Sequence, residues 1–137
     1  MIVEDYVSFE TAKLLKEKGF DSENVSEFGG YYFDYNHNGQ NVGIVNESMM
    51  LNKTLEDWEY LRPTLQMAMK WLREVYNVFI DISSRFSKNA DKDVCFSYSC
   101  KKLISTYKSS YEIGDGEWPN YEEACEAAIK YCLEKLI

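Results

Sequence analysis

Proline is scarce in this chain, two residues in 137, glycine is modest at seven, and histidine occurs once. Such a composition belongs to the folded globular range rather than the disordered one, and no internal repeat or low-complexity segment is present. With His37 as the lone imidazole there is no HExxH, and two-histidine metal sites cannot be built. The four cysteines are no better spaced for metal. Cys95 and Cys100 are five apart and Cys125 and Cys132 seven apart, so neither pair makes the C-x2-C knuckle of zinc or iron–sulfur modules, and reduced structural thiols are the expectation. No Gly-rich phosphate loop or G-x-S-x-G elbow occurs, and Gly29-Gly30 lacks the spacing and lysine of a nucleotide loop. No apolar run approaches the roughly 18 to 20 residues that cross a bilayer, and MIVEDYVSFE carries acids where a signal peptide has bases. A cytoplasmic protein that does not engage membranes is expected.

What is present belongs to a folded domain. The chain is 45% apolar and 28% charged, and its length suits one domain, residues 1–137, with a core that needs no disulfides. Aromatics reach 15%, with eleven tyrosines, a residue whose ring buries and whose hydroxyl stays polar. The formal charge is -8, but it is uneven. Residues 1–62 carry 12 acids and 5 bases, residues 63–110 carry 4 acids and 8 bases, and residues 111–137 carry 7 acids and 2 bases. The middle is locally basic.

Along the chain, Ser8 caps a helix over about residues 9–18 with Phe9, Ala12 and Leu15 inward, Gly19 ends it, and Phe20 folds back over its end. Residues 21–30 form a connection. Tyr31, Phe33 and Tyr35 share one face of a strand that turns at Asn38-Gly39 and returns near Asn41 to Val45. His37 reads as an exposed turn residue. Thr54 and Asp57 resemble a cap for a short helix containing Leu55, Trp58 and Leu61, broken at Arg62 because the residue before Pro63 avoids α geometry. A long helix follows, started by Pro63 and capped by Thr64, with Leu65, Ala68, Leu72, Val75 and Phe79 as one stripe. Met67 and Trp71 add a flank that is either buried or an exposed ridge. Asn77 is the exit into a strand at 78–83. After a charged loop, Val94, Phe96, Tyr98 and Cys100 occupy one face of a strand, with Cys95, Ser97, Ser99 and Lys101 on the other. Leu103 to Tyr107 extend or bend away, and SYEIGDGEW is an edge segment or a loop. Asn120 caps a final helix whose inner face carries Ala124, Cys125, Ala128, Ile129, Cys132, Leu133 and Leu136, with Tyr121 at its start. The fold class expected is α+β, about three main helices packed on a mostly antiparallel sheet of 4-5 strands.

The segments SFETAKLLKEKGF, PTLQMAMKWLREVYNVFIDI and NYEEACEAAIKYCLEKLI together resemble a group of small uncharacterised proteins of Bacteroidetes genomes and their phages or mobile elements. The familiar pattern is Pro-Thr-Gln ahead of an L-x-x-WLRE helix. Pro63, Thr64, Trp71, Leu72, Arg73 and Glu74 match it, whereas Leu65 stands where the pattern has glutamine. The resemblance implies a compact α+β domain of phage or mobile-element origin and brings no activity with it.

No catalytic, cofactor-binding or metal-binding residue is nominated. The leading expectation is a small non-catalytic accessory or interaction protein, with a protein partner or self-association through Trp71, Trp118, Arg62, Lys101 and Lys102. One alternative is a nucleic-acid or acidic-surface binder using Arg85, Lys88, Lys92, Lys101, Lys102 and Lys108 interleaved with Phe86, Tyr98 and Tyr107, although the overall charge disfavours nucleic acid. Another is a hydrolase-like enzyme whose carboxylates meet only in space.

Overall fold

The computed structural model describes residues 2, 5–20, 60–86, 93–114 and 116–137, and the backbone of 31–34 and 42–45. The readings at residues 21–30, Tyr35, His37, the Asn38-Gly39 turn, the Thr54 cap, Trp58, Lys88 and Lys92 lie outside the described residues. Among those that are described the fold is α+β, with three helices and strands that pair antiparallel throughout. Among the described residues six strands fall into two three-stranded sheets. The chain divides into two compact units, Met1–Met67 and Ala68–Ile137. Among the described residues no helix is long and apolar enough to cross a membrane.

In the first unit, helix α1 spans Phe9–Glu17, and Ser8 caps it by accepting the Thr11 amide at 3.2 Å. Gly19, at φ +100°, provides the left-handed residue that ends the helix, and the Phe20 amide returns to the Leu15 carbonyl at 2.9 Å. Phe20 is thereby tucked in at 1% exposure, as the glycine-terminated pattern anticipates. Thr11, Ala12 and Leu15 are the buried positions, and Phe9 is half-buried in an edge contact with Tyr60, ring centroids 5.3 Å apart. Strands β1 (Tyr31–Asp34) and β2 (Val42–Val45) form the anticipated antiparallel pair, with Tyr31 opposite Val45 and Asp34 opposite Val42.

Residues 60–62 correct the sequence reading. They form a strand, β3 (Tyr60–Arg62), on the other side of β1, and not the end of a short helix. Extended geometry before Pro63 made the break at Arg62 legible, but the helical spacing upstream hid the strand. The cap at Thr64 is as read from the sequence. Thr64 takes the cap of helix α2 (Leu65–Tyr76), its hydroxyl accepting the Met67 amide at 3.1 Å, so the proline precedes the cap. A second amide at this helix start, that of Leu65, finds a main-chain partner, donating to the Asp5 carbonyl at 2.9 Å.

In the second unit, α2 buries Ala68, Met69, Trp71 and Leu72. Val75, read as part of the inner stripe, is 52% exposed. Asn77 leaves the helix at φ +56°, a conformation asparagine tolerates better than most residues, and the chain enters β4 (Val78–Phe86) directly. Strand β4 pairs with β5 (Val94–Ser105), and β5 with β6 (Lys108–Ile113), which resolves SYEIGDGEW as an edge strand up to Ile113. Helix α3 (Tyr121–Lys135) is capped by Asn120, whose side chain accepts the Glu123 amide at 2.8 Å. Its face of Ala124, Cys125, Ala128, Ile129, Cys132 and Leu133 is buried, while Tyr121 at its start is partly exposed. Small side chains at four of those six positions let the helix lie close against β5.

Two glycines in this fold are required for different reasons. Gly19 has a left-handed φ and open space around an added Cβ, so Gly19→Ala should cost about 1 kcal/mol from backbone strain alone. Gly114 has no such φ, but a Cβ there would lie 2.3 Å from the Tyr98 ring, which is held between Trp118 and Tyr131. Gly114→Ala should cost about 2–3 kcal/mol through overpacking. Urea denaturation of both variants separates the two mechanisms, and equal midpoints would refute the steric account of Gly114.

Candidate functional site

Strand parity sorts the side chains of β5 to two faces of its sheet. Those at even positions reach α3. Phe96 meets Tyr121 edge to face at 6.3 Å, Tyr98 lies 6.1 Å from Tyr131, the Cys100 sulfur is 3.2 Å from that of Cys132, and the Lys102 Nζ donates to the Leu136 carbonyl at 2.7 Å. Odd positions therefore face away from the helix. Register aligns Phe79 of β4 with Lys101 of β5 and Lys101 with Tyr111 of β6, which makes one row across three strands, aromatic, cation, aromatic. All three are exposed, Phe79 at 40% and Tyr111 at 61%. In the next row Asp81, Ser99 and Ile113 align, with Ile113 70% exposed.

Beside this row is an open groove of about 510 Å³, lined by Arg73, Phe79, Ile80, Asp81, Lys101 and Leu103. Two cations and one carboxylate stand among apolar walls. A surface of this kind can hold an apolar anchor and pair with anionic groups around it. Among the described residues, no group of three or more His, Cys, Asp or Glu side chains is placed to hold a metal ion.

The residues nominated from sequence do not converge on this groove. Lys101 lines it. Trp71 is 1% exposed, packed edge-on against Tyr76 with centroids 5.2 Å apart, so the ridge reading is corrected: its ring belongs to the core and is closed to a partner. Trp118 is half-buried, exchanging two 2.8 Å main-chain hydrogen bonds with Phe96 and making a tilted ring contact with Tyr98, centroids 5.2 Å apart. Arg62 is held by its Nε donating to the Val7 carbonyl at 2.6 Å. Lys102 is on the helix side, tied to α3.

Among its described residues the basic hairpin likewise disperses. Arg85 is ion-paired with Glu117, Tyr98 is buried, and Phe86 and Tyr107 are exposed at 68% and 98%. What sequence reasoning missed is the groove itself, because Arg73 and Leu103 are thirty positions apart and meet only through the β4–β5 register. The alternation of Lys101 and Leu103 was the available signal.

The cysteine environments oppose nucleophilic chemistry. Burial pushes the Cys125 thiol up to about 11. Cys95 is raised by burial and then by the neighbouring Glu117 carboxylate, and Cys132 by its hydrogen bond to Cys100 and by burial. Each raised value disfavours the thiolate near neutral pH while the helix and strand stay packed. All four cysteines are free and buried, Cys95 included, although the strand alternation puts it on the face with Ser97, Ser99 and Lys101.

No protein-family model matches the chain, and neither a curated protein nor a solved structure matches it.

The two adjacent lysines should behave oppositely. Lys102→Met removes the donor to the Leu136 carbonyl and should lower stability by about 1 kcal/mol. Lys101→Met, on an exposed site, should stay within about 0.5 kcal/mol of the parent. Thermal denaturation followed by circular dichroism reads the difference, and the reverse ranking would contradict the assignment of faces.

Proposed function

We propose that this is a small non-catalytic interaction protein, of the phage or mobile-element origin its resemblance implies, that binds an acidic segment of a protein partner on the open face of the β4-β5-β6 sheet. The observation that carries the reading is the exposed Phe79, Lys101, Tyr111 row beside a groove to which Arg73 adds a second cation. Phe79 and Leu103 supply apolar contact, each 40% exposed, and the cations select carboxylates flanking an aliphatic or aromatic anchor.

Charge arithmetic favours a peptide over nucleic acid. Each phosphate neutralised contributes a salt slope of about 0.7 for single strands, so two groove cations give weak, salt-labile binding. Two carboxylates and one anchor, in contrast, can be met within the groove. The chain's remaining acids interfere little at physiological salt, where fields fade over about 8 Å.

The test uses a fluorescein-labelled 12-residue peptide alternating glutamate with leucine and phenylalanine, compared with labelled oligothymidine, by anisotropy at 50 and 200 mM salt. The peptide should bind, and Lys101→Glu and Phe79→Ala should each weaken it about tenfold, roughly 1.4 kcal/mol. Tighter, Lys101-dependent binding of oligothymidine would transfer the face to nucleic acid. Peptide affinity unchanged by both substitutions would remove this face from the proposal.

A further inference from the structure

The Cys100 and Cys132 sulfurs are 3.2 Å apart, joining the middle of β5 to the last turns of α3. Both residues are buried, at 1% and 0% exposure, and both are free thiols. A covalent S–S bond is about 2.05 Å, so closing it asks for a shift of about an ångström along a contact that already exists. Lys102, two residues along β5, holds the Leu136 carbonyl on the same side, and Tyr98 packs on Tyr131, so strand and helix are registered on both sides of the sulfur pair. We propose that Cys100 and Cys132 form a latent disulfide site, which on exposure to a low-molecular-weight disulfide links α3 covalently to β5.

The chemistry is two exchanges. The Cys132 thiolate, reached when the C-terminal turn of α3 frays, attacks one sulfur of glutathione disulfide, and glutathione leaves as its thiolate. The Cys100 thiolate then attacks the Cys132 sulfur of the mixed disulfide, forming the Cys100–Cys132 bond and expelling the second glutathione. Two protein thiols are oxidised, one small disulfide is reduced to two small thiols, and the two protons lost by the protein are taken up by those leaving thiolates. Burial of both sulfurs makes this a slow site in the folded state, and the rate rises with pH because the attacking form is the thiolate.

Cys95 and Cys125 provide the internal contrast. Cys95 faces away from α3 by parity and lies beside Glu117, so it has a different neighbourhood on the other side of the sheet. Cys125 is beside Tyr121 and Glu122, near the opposite end of α3 from Cys132.

The test incubates the full chain with glutathione disulfide at pH 7 and pH 9, blocks the remaining thiols and maps a non-reduced digest by mass spectrometry. The expected result is one intramolecular bond, Cys100–Cys132, two remaining thiols, faster formation at pH 9, and a melting temperature raised by at least about 5 °C. Cys132→Ser should abolish the bond and the shift, while the Cys95→Ser variant keeps both. A bond between any other pair, a lowered melting temperature in the linked form, or four thiols persisting after pH 9 treatment overturns the proposal. The digest is read on the parent protein, so the result stands even if a serine variant fails to fold.

Discussion

The second unit depends on how closely α3 can approach β5. Ala124, Cys125, Ala128 and Cys132 are small and fully buried, and they place the helix where strand side chains can reach it. Ile129 and Leu133 add the bulk, and burying a side chain of that size contributes about 1.5–3 kcal/mol. Because the helix covers one face of the sheet, the period of two along β5 decides everything else. Cys100 and Lys102 are committed to the helix, and Lys101 is left outside. A slip of one residue would exchange the buried thiol for a lysine, which explains why this register is well specified.

The first unit is organised by a different device, the main-chain and side-chain bonds around the start of α2. The Val7 amide donates to the Pro63 carbonyl at 3.0 Å, and the Arg62 Nε returns a bond to the Val7 carbonyl. Tyr6 forms an antiparallel bridge with Thr64. Proline is useful at this point because it needs no partner for an amide, while its carbonyl remains an acceptor. Arg62 then has a structural task, and a charged side chain that sequence alone offers as a partner contact is already engaged.

How much of this was legible depended on the range of the interaction that fixed it. Caps are local, so Ser8, Thr64 and Asn120 could be identified from the residues beside them, as could the Gly19 stop and the Asn77 exit. Strand β3 could not. Its three residues have no period of their own, and what makes them a strand is β1, nearly thirty positions earlier. The arc of α2 was ambiguous for a related reason. Its leucine stripe and its Met67–Trp71 flank together span more than one face, and only packing reveals that Trp71 is inside while Val75 is out. Parity told that Cys95 and Cys100 point apart, but the approach of Cys132 to Cys100 is a tertiary fact.

The same distinction governs where a basic patch can act. Counting bases between residues 85 and 108 treats each lysine as equivalent, yet the fold spends them unequally. Arg85 is neutralised by Glu117 and Lys102 by a helix carbonyl, so their charge is balanced or directed within the unit. Lys101 keeps an open setting between two exposed aromatics, and Arg73 joins it from a helix that the linear count would not have included. A cation already paired must give up that interaction before it can hold a ligand, whereas one on an open face gives up only water. Among the described residues, the charge this segment leaves uncommitted is therefore set by the fold's own hydrogen bonds and ion pairs, and it is more localised than a count of bases implies.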